Sequence, residues 1–192
     1  MSRADLWNHR YLSKDISLPA LPAELQASLD QLPPGRTLDL ACGDGAASLY
    51  LAAKGHRILA VDFAVNGLQR LQRFAAQQQF SIATQALDLS VPGALDQLAI
   101  EPGHDARFDN VVILRYLPEV SLLQQLPLQM APAGRLLIQT FNLEHHRQNG
   151  FPERFCLSSA ALVDKLPALT LLDYDDGRLK GACFDRYLFG AP

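Results

Sequence analysis

The chain has 192 residues, a length that suits one domain with its own hydrophobic core. Its net charge is −3 and it has no basic run, so we expect neither a nucleic-acid partner nor attraction to an anionic membrane. No signal pattern and no apolar run of membrane-spanning length occur. Cys42, Cys156 and Cys183 are widely separated. The sequence therefore predicts a cytoplasmic protein with reduced thiols and no metal site, a monomer or weak homodimer.

Residues 1–18 mix polar and aromatic side chains and hold the only tryptophan, Trp7. Two interpretations are open: a helix that covers one edge of a sheet, or a lid over a bound ligand. Leu21, Leu25 and Leu29 then recur at helical spacing, which predicts a helix over 19–32. The Pro-Pro-Gly run at 33–35 ends it.

Apolar runs and helical patterns alternate after that point. Strands are predicted at 36–41, 56–62, 81–87, 109–114 and 135–141. Helices are predicted between Gly45 and Gly55, at 64–79, at 92–99 and at 119–130, where Pro127 should break or kink the last one. This alternation indicates a parallel sheet with right-handed crossovers.

The C-terminal quarter reads differently. We expect a loop over 142–157, a helix from Ser158 to Leu166, and two strands at 169–174 and 182–189. The Asp-Asp-Gly run at 175–177 is typical of a hairpin turn, so the last two strands are predicted to be antiparallel.

The glycine-containing stretch at 38–47 organises the rest of the chain. The apolar run that contains Asp39 ends in Gly43 and Gly45, and a helix follows at once. Glycine allows a positive φ and a close approach to a ligand, and the helix start presents free N–H groups. Asp62 ends the next apolar run, so a parallel sheet places its carboxylate beside this loop, where it can accept ribose hydroxyls. The pattern predicts a nucleoside cofactor without saying which one.

Five motifs in register resemble those of class I S-adenosylmethionine-dependent methyltransferases, most of all the small tellurite-resistance (TehB-like) type. They are the Asp-x-x-x-Gly-x-Gly run at 39–45, Ala-Val-Asp at 60–62, Ala-Leu-Asp-Leu at 86–89, the strand at 108–112 and the Pro-x-Gly turn at 132–134. The resemblance implies an α/β, single-domain, Rossmann-like fold with a seven-stranded, mostly parallel sheet and an antiparallel C-terminal hairpin. Within the single domain of residues 1–192, segment 1–18 would be a lid or edge segment and 36–141 the cofactor-binding core. Segment 142–192 would hold the acceptor loop, a helix and the hairpin.

The resemblance also implies a cofactor site for S-adenosyl-L-methionine. Its expected residues are Arg10, Asp39, Gly43, Gly45, Asp62, Phe63, Asp88, Leu89 and Leu114. Asp62 would bind the ribose, and Asp88 with the Leu89 backbone would bind the adenine. Arg10 could pair with the methionine carboxylate. Alternatives stay open for three positions: Asp39 could be satisfied within the loop, Phe63 could be core, and Asp88 could cap a helix.

Arg115, His145 and His146 are the candidate catalytic residues. Arg115 follows the fourth strand, beside the expected methyl group, and could bind an anionic substrate or pair with a carboxylate. This position lacks the N/D-P-P-Y motif of enzymes that methylate exocyclic amines or glutamine. A histidine suits proton removal, although both could lie in a solvated loop. Because adjacent loop residues diverge, we expect no metal site at the histidines.

The predicted function is methyl transfer from S-adenosylmethionine to a small-molecule acceptor, and Arg10, Arg115 and Arg147 could make the acceptor pocket receptive to an anion. The alternative is a non-catalytic S-adenosylmethionine-binding protein, a sensor or partner subunit. An NAD-binding Rossmann protein is a third interpretation, because Gly43-x-Gly45 nearly fits the dinucleotide fingerprint. Ser48 stands in place of its third glycine.

Overall fold

A seven-stranded sheet forms the centre of the computed structural model, which describes residues 2–99, 107–177 and 183–192. The strands are β1 (Arg36–Leu40), β2 (Arg57–Asp62), β3 (Ile82–Ala86), β4 (Phe108–Leu114), β5 (Met130–Phe141), β6 (Thr170–Asp175) and β7 (Phe184–Gly190). Their order is β3-β2-β1-β4-β5-β7-β6. The first five are parallel, and β7 is antiparallel to both β5 and β6. The predicted fold class is therefore confirmed.

Helices cover both faces of the sheet. They are α1 (Arg3–Leu12), α2 (Ala23–Leu29), α3 (Ala46–Ala53), α4 (Val65–Gln77), α5 (Val120–Gln129) and α6 (Leu143–Asn149), with 3₁₀ turns at Ala94–Gln97, Glu153–Phe155 and Val163–Lys165. One apolar layer packs α2, α3 and α4 on the sheet, and the other packs α5 and the first and third 3₁₀ turns. Central strands are buried on both faces, which explains why they read as unbroken apolar runs.

Between Asn142 and Leu157 the prediction of a loop is wrong in part, because α6 occupies the first half. The Asn142 side-chain oxygen accepts hydrogen bonds from the N–H groups of Glu144 at 3.1 Å and His145 at 3.3 Å. Gly150, with φ 64°, ends the helix. An asparagine N-cap and a glycine C-cap are both readable signals, but the seven residues between them carry no apolar period.

After Ser158 the predicted helix to Leu166 is not formed, and turns with one 3₁₀ segment take its place. Ala160 adopts a left-handed φ of 58°, and its N–H donates to the Tyr174 hydroxyl at 2.8 Å. This tertiary bond replaces a helical one.

Two other helices are shorter than predicted. The helix expected over 19–32 begins only at Ala23, after Pro22. Pro127 lies in the last turn of α5, which ends two residues later, and β5 starts at once with Met130. Proline thus ends the helix instead of kinking it in the middle. Of the predicted hairpin, the turn start at Gly177 is described, and residues 178–182 lie outside the described residues.

Candidate cofactor and acceptor site

The glycine loop connects β1 to α3 and has no room for side chains at its two glycines. Gly43 has φ 60° and Gly45 has φ 84°, both in the left-handed region. A Cβ on Gly43 would lie 2.5 Å from the Tyr11 hydroxyl oxygen, and one on Gly45 would lie 2.2 Å from Leu71 Cδ1. Both glycines are therefore required by conformation and by close packing.

Asp62 is fixed against this loop, as the sequence predicts. Its Oδ2 accepts from the Gly43 N–H at 2.9 Å, and its Oδ1 accepts from the Ala64 N–H at 2.8 Å. Burial raises the pKa of this carboxyl, and the two backbone N–H donors oppose that rise. A carboxylate held in this way lies at the carboxyl edge of β2, next to the end of β1.

Asp39 is bonded inside the protein. It is 2% exposed, and its Oδ2 accepts from the Ser48 hydroxyl at 2.5 Å. Burial raises its pKa to about 7, although the Ser48 bond lowers it. Of the two roles left open for Asp39, the geometry matches the internal one. The same bond gives Ser48, which replaces the third glycine of the dinucleotide fingerprint, a structural role.

Arg3, which the sequence did not single out, lies near the residues that are expected to bind the adenine. Arg3, the first residue of α1, has its guanidinium carbon 5.3 Å from the centre of the Phe63 ring. The positive charge of Arg3 also acts electrostatically on Tyr116, Asp62 and Asp88, and it acts to lower the pKa of each group. No motif pointed to Arg3, because its role depends on where α1 packs.

Asp88 and Leu89 follow β3. The Asp88 Oδ1 accepts from the Ser90 N–H at 2.9 Å and from its hydroxyl at 2.6 Å, and these bonds lower the pKa of the carboxyl. Asp88 therefore stabilises its own turn and does not cap a helix, because the 3₁₀ segment that follows is preceded by Gly93 and has no side-chain cap. Leu89 is 5% exposed and packs in the core.

The N-terminal helix α1 lies over the glycine loop and α4. Tyr11 is buried against Gly43, and burial raises the pKa of its hydroxyl. Asp44, inside the loop, accepts from Lys14 Nζ at 2.9 Å and from Arg70 Nε at 3.3 Å. Segment 1–18 therefore packs on the glycine loop and α4, and both interpretations of it, a lid and an edge segment, remain predictions.

The end of β4 lies beside the end of β1, where Ile113 is paired with Leu40. Leu114 is the last residue of the strand, and Arg115 follows with a left-handed φ of 56°. The Arg115 N–H donates to the Gln139 carbonyl at 2.7 Å, and its guanidinium lies 5.6 Å from the centre of the Phe184 ring.

The two histidines lie on α6 and point to different partners. The His145 ring stacks on Phe141 at a centroid distance of 4.6 Å and also contacts the rings of Phe151 and Phe184. His146 Nδ1 lies 2.6 Å from the Phe151 carbonyl oxygen. His145 and Arg115 therefore share Phe184 as a neighbour, whereas His146 is tied to the backbone.

A cavity of about 680 Å³ begins at this aromatic group, between α2, α6 and the ends of β5 and β7. That volume is within the range of small-molecule sites. Two buried polar side chains, Gln139 and Ser28, line it, and the Ser28 Oγ is 3.5 Å from the Gln139 Oε1. His145 and Phe184 form another part of the wall. Arg186, also in the wall, is paired with Asp173 at 2.8 Å.

The family model of the tellurite resistance protein TehB matches residues 6–126, more than half of the chain. The chain belongs to the TehB family. The resemblance seen in the sequence motifs is thereby confirmed.

Solved structures show the same fold. TehB from Haemophilus influenzae superposes with a TM-score of 0.71 at 17% identity, covering 96% of this chain and 67% of that one. The N-methyltransferase NodS from Bradyrhizobium japonicum WM9, in complex with S-adenosyl-L-homocysteine, gives 0.72 at 19% identity over 100% of both chains. The magnesium protoporphyrin IX methyltransferase from Synechocystis PCC 6803, with bound S-adenosylmethionine, gives 0.68 at 14%, covering 100% and 98%.

One curated relative matches over part of its length. Hemagglutinin 1 from Eikenella corrodens is 25% identical over 104 residues, which are 54% of this chain and 33% of that protein. This chain thus spans about a third of that relative.

In this TehB-family chain the structure brings some of the expected residues together and leaves others with separate partners. Gly43, Gly45, Asp62 and Phe63 meet at the glycine loop and the end of β2. The three arginines expected around an anion are held apart. Arg10 lies over the Trp7 ring at 4.9 Å, Arg147 is bound to Glu144 at 3.2 Å, and Arg115 lies at Phe184. Among the described residues, no helix is long and apolar enough to span a membrane.

Proposed function

We propose that this TehB-family protein transfers the methyl group of S-adenosylmethionine to a small-molecule acceptor. The observation that carries the proposal is the bond between Asp62 and the Gly43 N–H, which places a carboxylate beside a glycine loop and a helix start. This is the arrangement that a nucleoside cofactor requires at the carboxyl edge of a parallel sheet. Family membership and the cofactors named with NodS and the Synechocystis enzyme support the same cofactor here.

The residues present fit this cofactor. Asp62 would accept the ribose hydroxyls, and Phe63 with Asp88 and the Leu89 backbone would bind the adenine. The loop from Gly43 to Gly45 and the Leu114 end of β4 would face the methionine part. Arg10 would have to leave the Trp7 ring to reach a carboxylate. Asp39 would act on the loop through Ser48.

The chemistry asks little of the protein beyond placement. The bound cofactor supplies a methyl group on a positively charged sulfur, which is both activated and ready to leave. An acceptor lone pair forms the new bond to the methyl carbon as the carbon–sulfur bond breaks. Positioning of this kind contributes about 7–11 kcal/mol in favourable cases, and α1 over the loop would exclude water.

The acceptor site is proposed to be the 680 Å³ cavity beside Phe184. Gln139 and Ser28 would bind polar groups of the acceptor, and the Arg115 guanidinium lies 5.6 Å from the centre of the Phe184 ring in the cavity wall. His145 would accept the proton that the acceptor loses. The proposal includes a cytoplasmic location, where the three free thiols of Cys42, Cys156 and Cys183 stay reduced.

Calorimetric titration tests the cofactor. We expect S-adenosylhomocysteine to bind and NAD not to bind. Asp62→Asn should weaken S-adenosylhomocysteine binding roughly ten- to a hundredfold, because a charge-assisted bond contributes about 1.5–3 kcal/mol. Asp96→Asn, an exposed carboxylate on a 3₁₀ turn, is the matched control. Binding of NAD without S-adenosylhomocysteine would overturn the proposal. Cofactor binding without any labelled product in a cell extract would identify a non-catalytic binding protein.

A further inference from the structure

Arg3 lies beside residues of the proposed cofactor site, where Phe63 and Asp88 are assigned to the adenine and Asp62 to the ribose. Its guanidinium carbon lies 5.3 Å from the centre of the Phe63 ring, and its charge acts electrostatically on Tyr116, Asp62 and Asp88. These four residues lie at or just after the ends of β2, β3 and β4. In the sheet, β2 and β4 flank β1, and β3 lies beyond β2. One cation from α1 thus joins three strand ends.

The position of Arg3 follows from how α1 is anchored. The Asn8 Oδ1 accepts from the Asn66 N–H at 2.9 Å, and Tyr11, about one turn further along, is buried against Gly43. Ser2 and Asp5 form a capping box that fixes the first turn of the helix. Arg3 lies within that turn, so its side chain starts from an ordered backbone and reaches the strand ends.

The guanidinium and the adenine ring share the features that these partners recognise. Both are planar and delocalised, both stack on aromatic faces, and both carry N–H donors at an edge. Phe63 offers the ring face in each case, and Asp88 offers negative charge to the guanidinium and an acceptor to the adenine. A guanidinium over Phe63 and an adenine over the same face cannot be present together.

We propose that Arg3 competes with the adenine of a nucleoside ligand for the Phe63 ring and is displaced from that ring when the nucleoside binds. Arg3 is then a residue that sets the affinity for nucleoside ligands by competing with them from within the chain. The proposal rests on the proposed S-adenosylmethionine site, because it assigns the Phe63 face to the adenine.

Calorimetry with S-adenosylhomocysteine compares the wild type with Arg3→Gln. Removing the internal competitor should tighten binding about two- to fivefold, the size of an exposed cation–π contact. Arg57→Gln makes the same charge change on an exposed residue at the opposite end of β2 and should leave the affinity unchanged. Melting curves check that Arg3→Gln is folded, which its exposure favours.

Salt dependence with adenosine gives a readout that a structural role for Arg3 would not move. Adenosine carries no charge, so salt acts mainly on the attraction between Arg3 and the two carboxylates. Wild-type affinity for adenosine should rise as salt is increased, and Arg3→Gln should show a flat dependence.

The outcomes separate the two proposals. If neither protein binds S-adenosylhomocysteine, the proposed function fails and takes this inference with it. If both bind it but Arg3→Gln binds equally or more weakly, only the inference is overturned. An equal salt dependence of adenosine binding in the two proteins would also overturn it.

Discussion

Single residues at this site show how burial decides a role that a motif leaves open. Asp39 and Asp62 have the same chemistry and lie on neighbouring strands, Asp39 within β1 and Asp62 at the end of β2. Asp62 meets backbone N–H donors at the loop, whereas Asp39 is enclosed and meets only the Ser48 hydroxyl among its side-chain donors. The raised pKa of Asp39, about 7, is the consequence of that enclosure.

A pH-dependent cost of folding follows for Asp39. Its folded pKa lies above the ordinary value of 3.8, so the unfolded chain loses the proton first. Stability contributed by this group is therefore lost as pH rises from about 4 to about 7, by up to about 4 kcal/mol, and stays lost above that. Asp39→Asn keeps an acceptor for Ser48 without a titrating group. In urea unfolding, the free energy of unfolding of the variant should rise relative to that of the wild type between pH 4 and pH 7.

Asp96→Asn is the control for that experiment, because Asp96 is exposed and should give a difference from wild type that does not change with pH. A gap between Asp39→Asn and wild type that stays constant from pH 4 to pH 8 would contradict the enclosed position of Asp39.

Whole elements were predictable where an apolar run was long or a glycine marked its end. β1 and β2 are read correctly because both faces of each are buried, and α4 because its apolar face recurs at helical spacing. The elements after β5 were not predicted correctly, because α6 has no buried residue of its own and depends on its N-cap Asn142. Contacts distant in sequence, such as Tyr174 to Ala160, leave no local signal.

Asn142 is expected to hold α6 in place. Its side-chain oxygen caps the helix, and its Nδ2 donates to Asp185 Oδ1 at 3.1 Å. Asn142→Ala removes the cap, worth about 0.5–2 kcal/mol, and takes a donor from a buried carboxylate. Urea unfolding should show a loss of about 1–3 kcal/mol, with faster hydrogen exchange in α6.

Gln148→Ala, an exposed position on the same helix, serves as the comparison and should cost far less. Equal stability of Asn142→Ala and Gln148→Ala would show that the cap does not hold the helix.

At the scale of the whole molecule, the strand order places the proposed cofactor site and the cavity in two regions of the sheet. The ends of β1, β2 and β3 carry the glycine loop and the carboxylates, and the ends of β5 and β7 carry the cavity. The sequence located the first region through motifs that lie within single strand ends. The sequence predicted an acceptor loop in the segment after β5, where His145 and Asn149 line the cavity, but the contributions of α2 and β7 come from distant parts of the chain and left no local signal. The contacts of Arg3 were not predicted for the same reason, because they join residues that are far apart in the sequence.

The size of that cavity and the net charge of −3 lead to the prediction about the acceptor. A space of about 680 Å³ with buried amide and hydroxyl groups suits a small polar molecule, whereas nucleic-acid binders usually present a basic stripe. We therefore expect label from methyl-labelled S-adenosylmethionine, incubated with the protein and a cell extract, to appear in small metabolites after separation by size.

Gln139 links this acceptor prediction to the cavity. Gln139→Leu keeps the volume of the side chain but removes its polar groups from the cavity floor, where Gln139 is 6% exposed. We expect label transfer to fall about tenfold, because the variant loses one buried hydrogen bond worth about 1–2 kcal/mol. The affinity for S-adenosylhomocysteine should stay unchanged. Gln78→Leu, at an exposed helix end, should transfer label as the wild type does. Label found mainly in RNA, DNA or protein would contradict the small-molecule acceptor. Undiminished transfer by Gln139→Leu would move the acceptor out of this cavity.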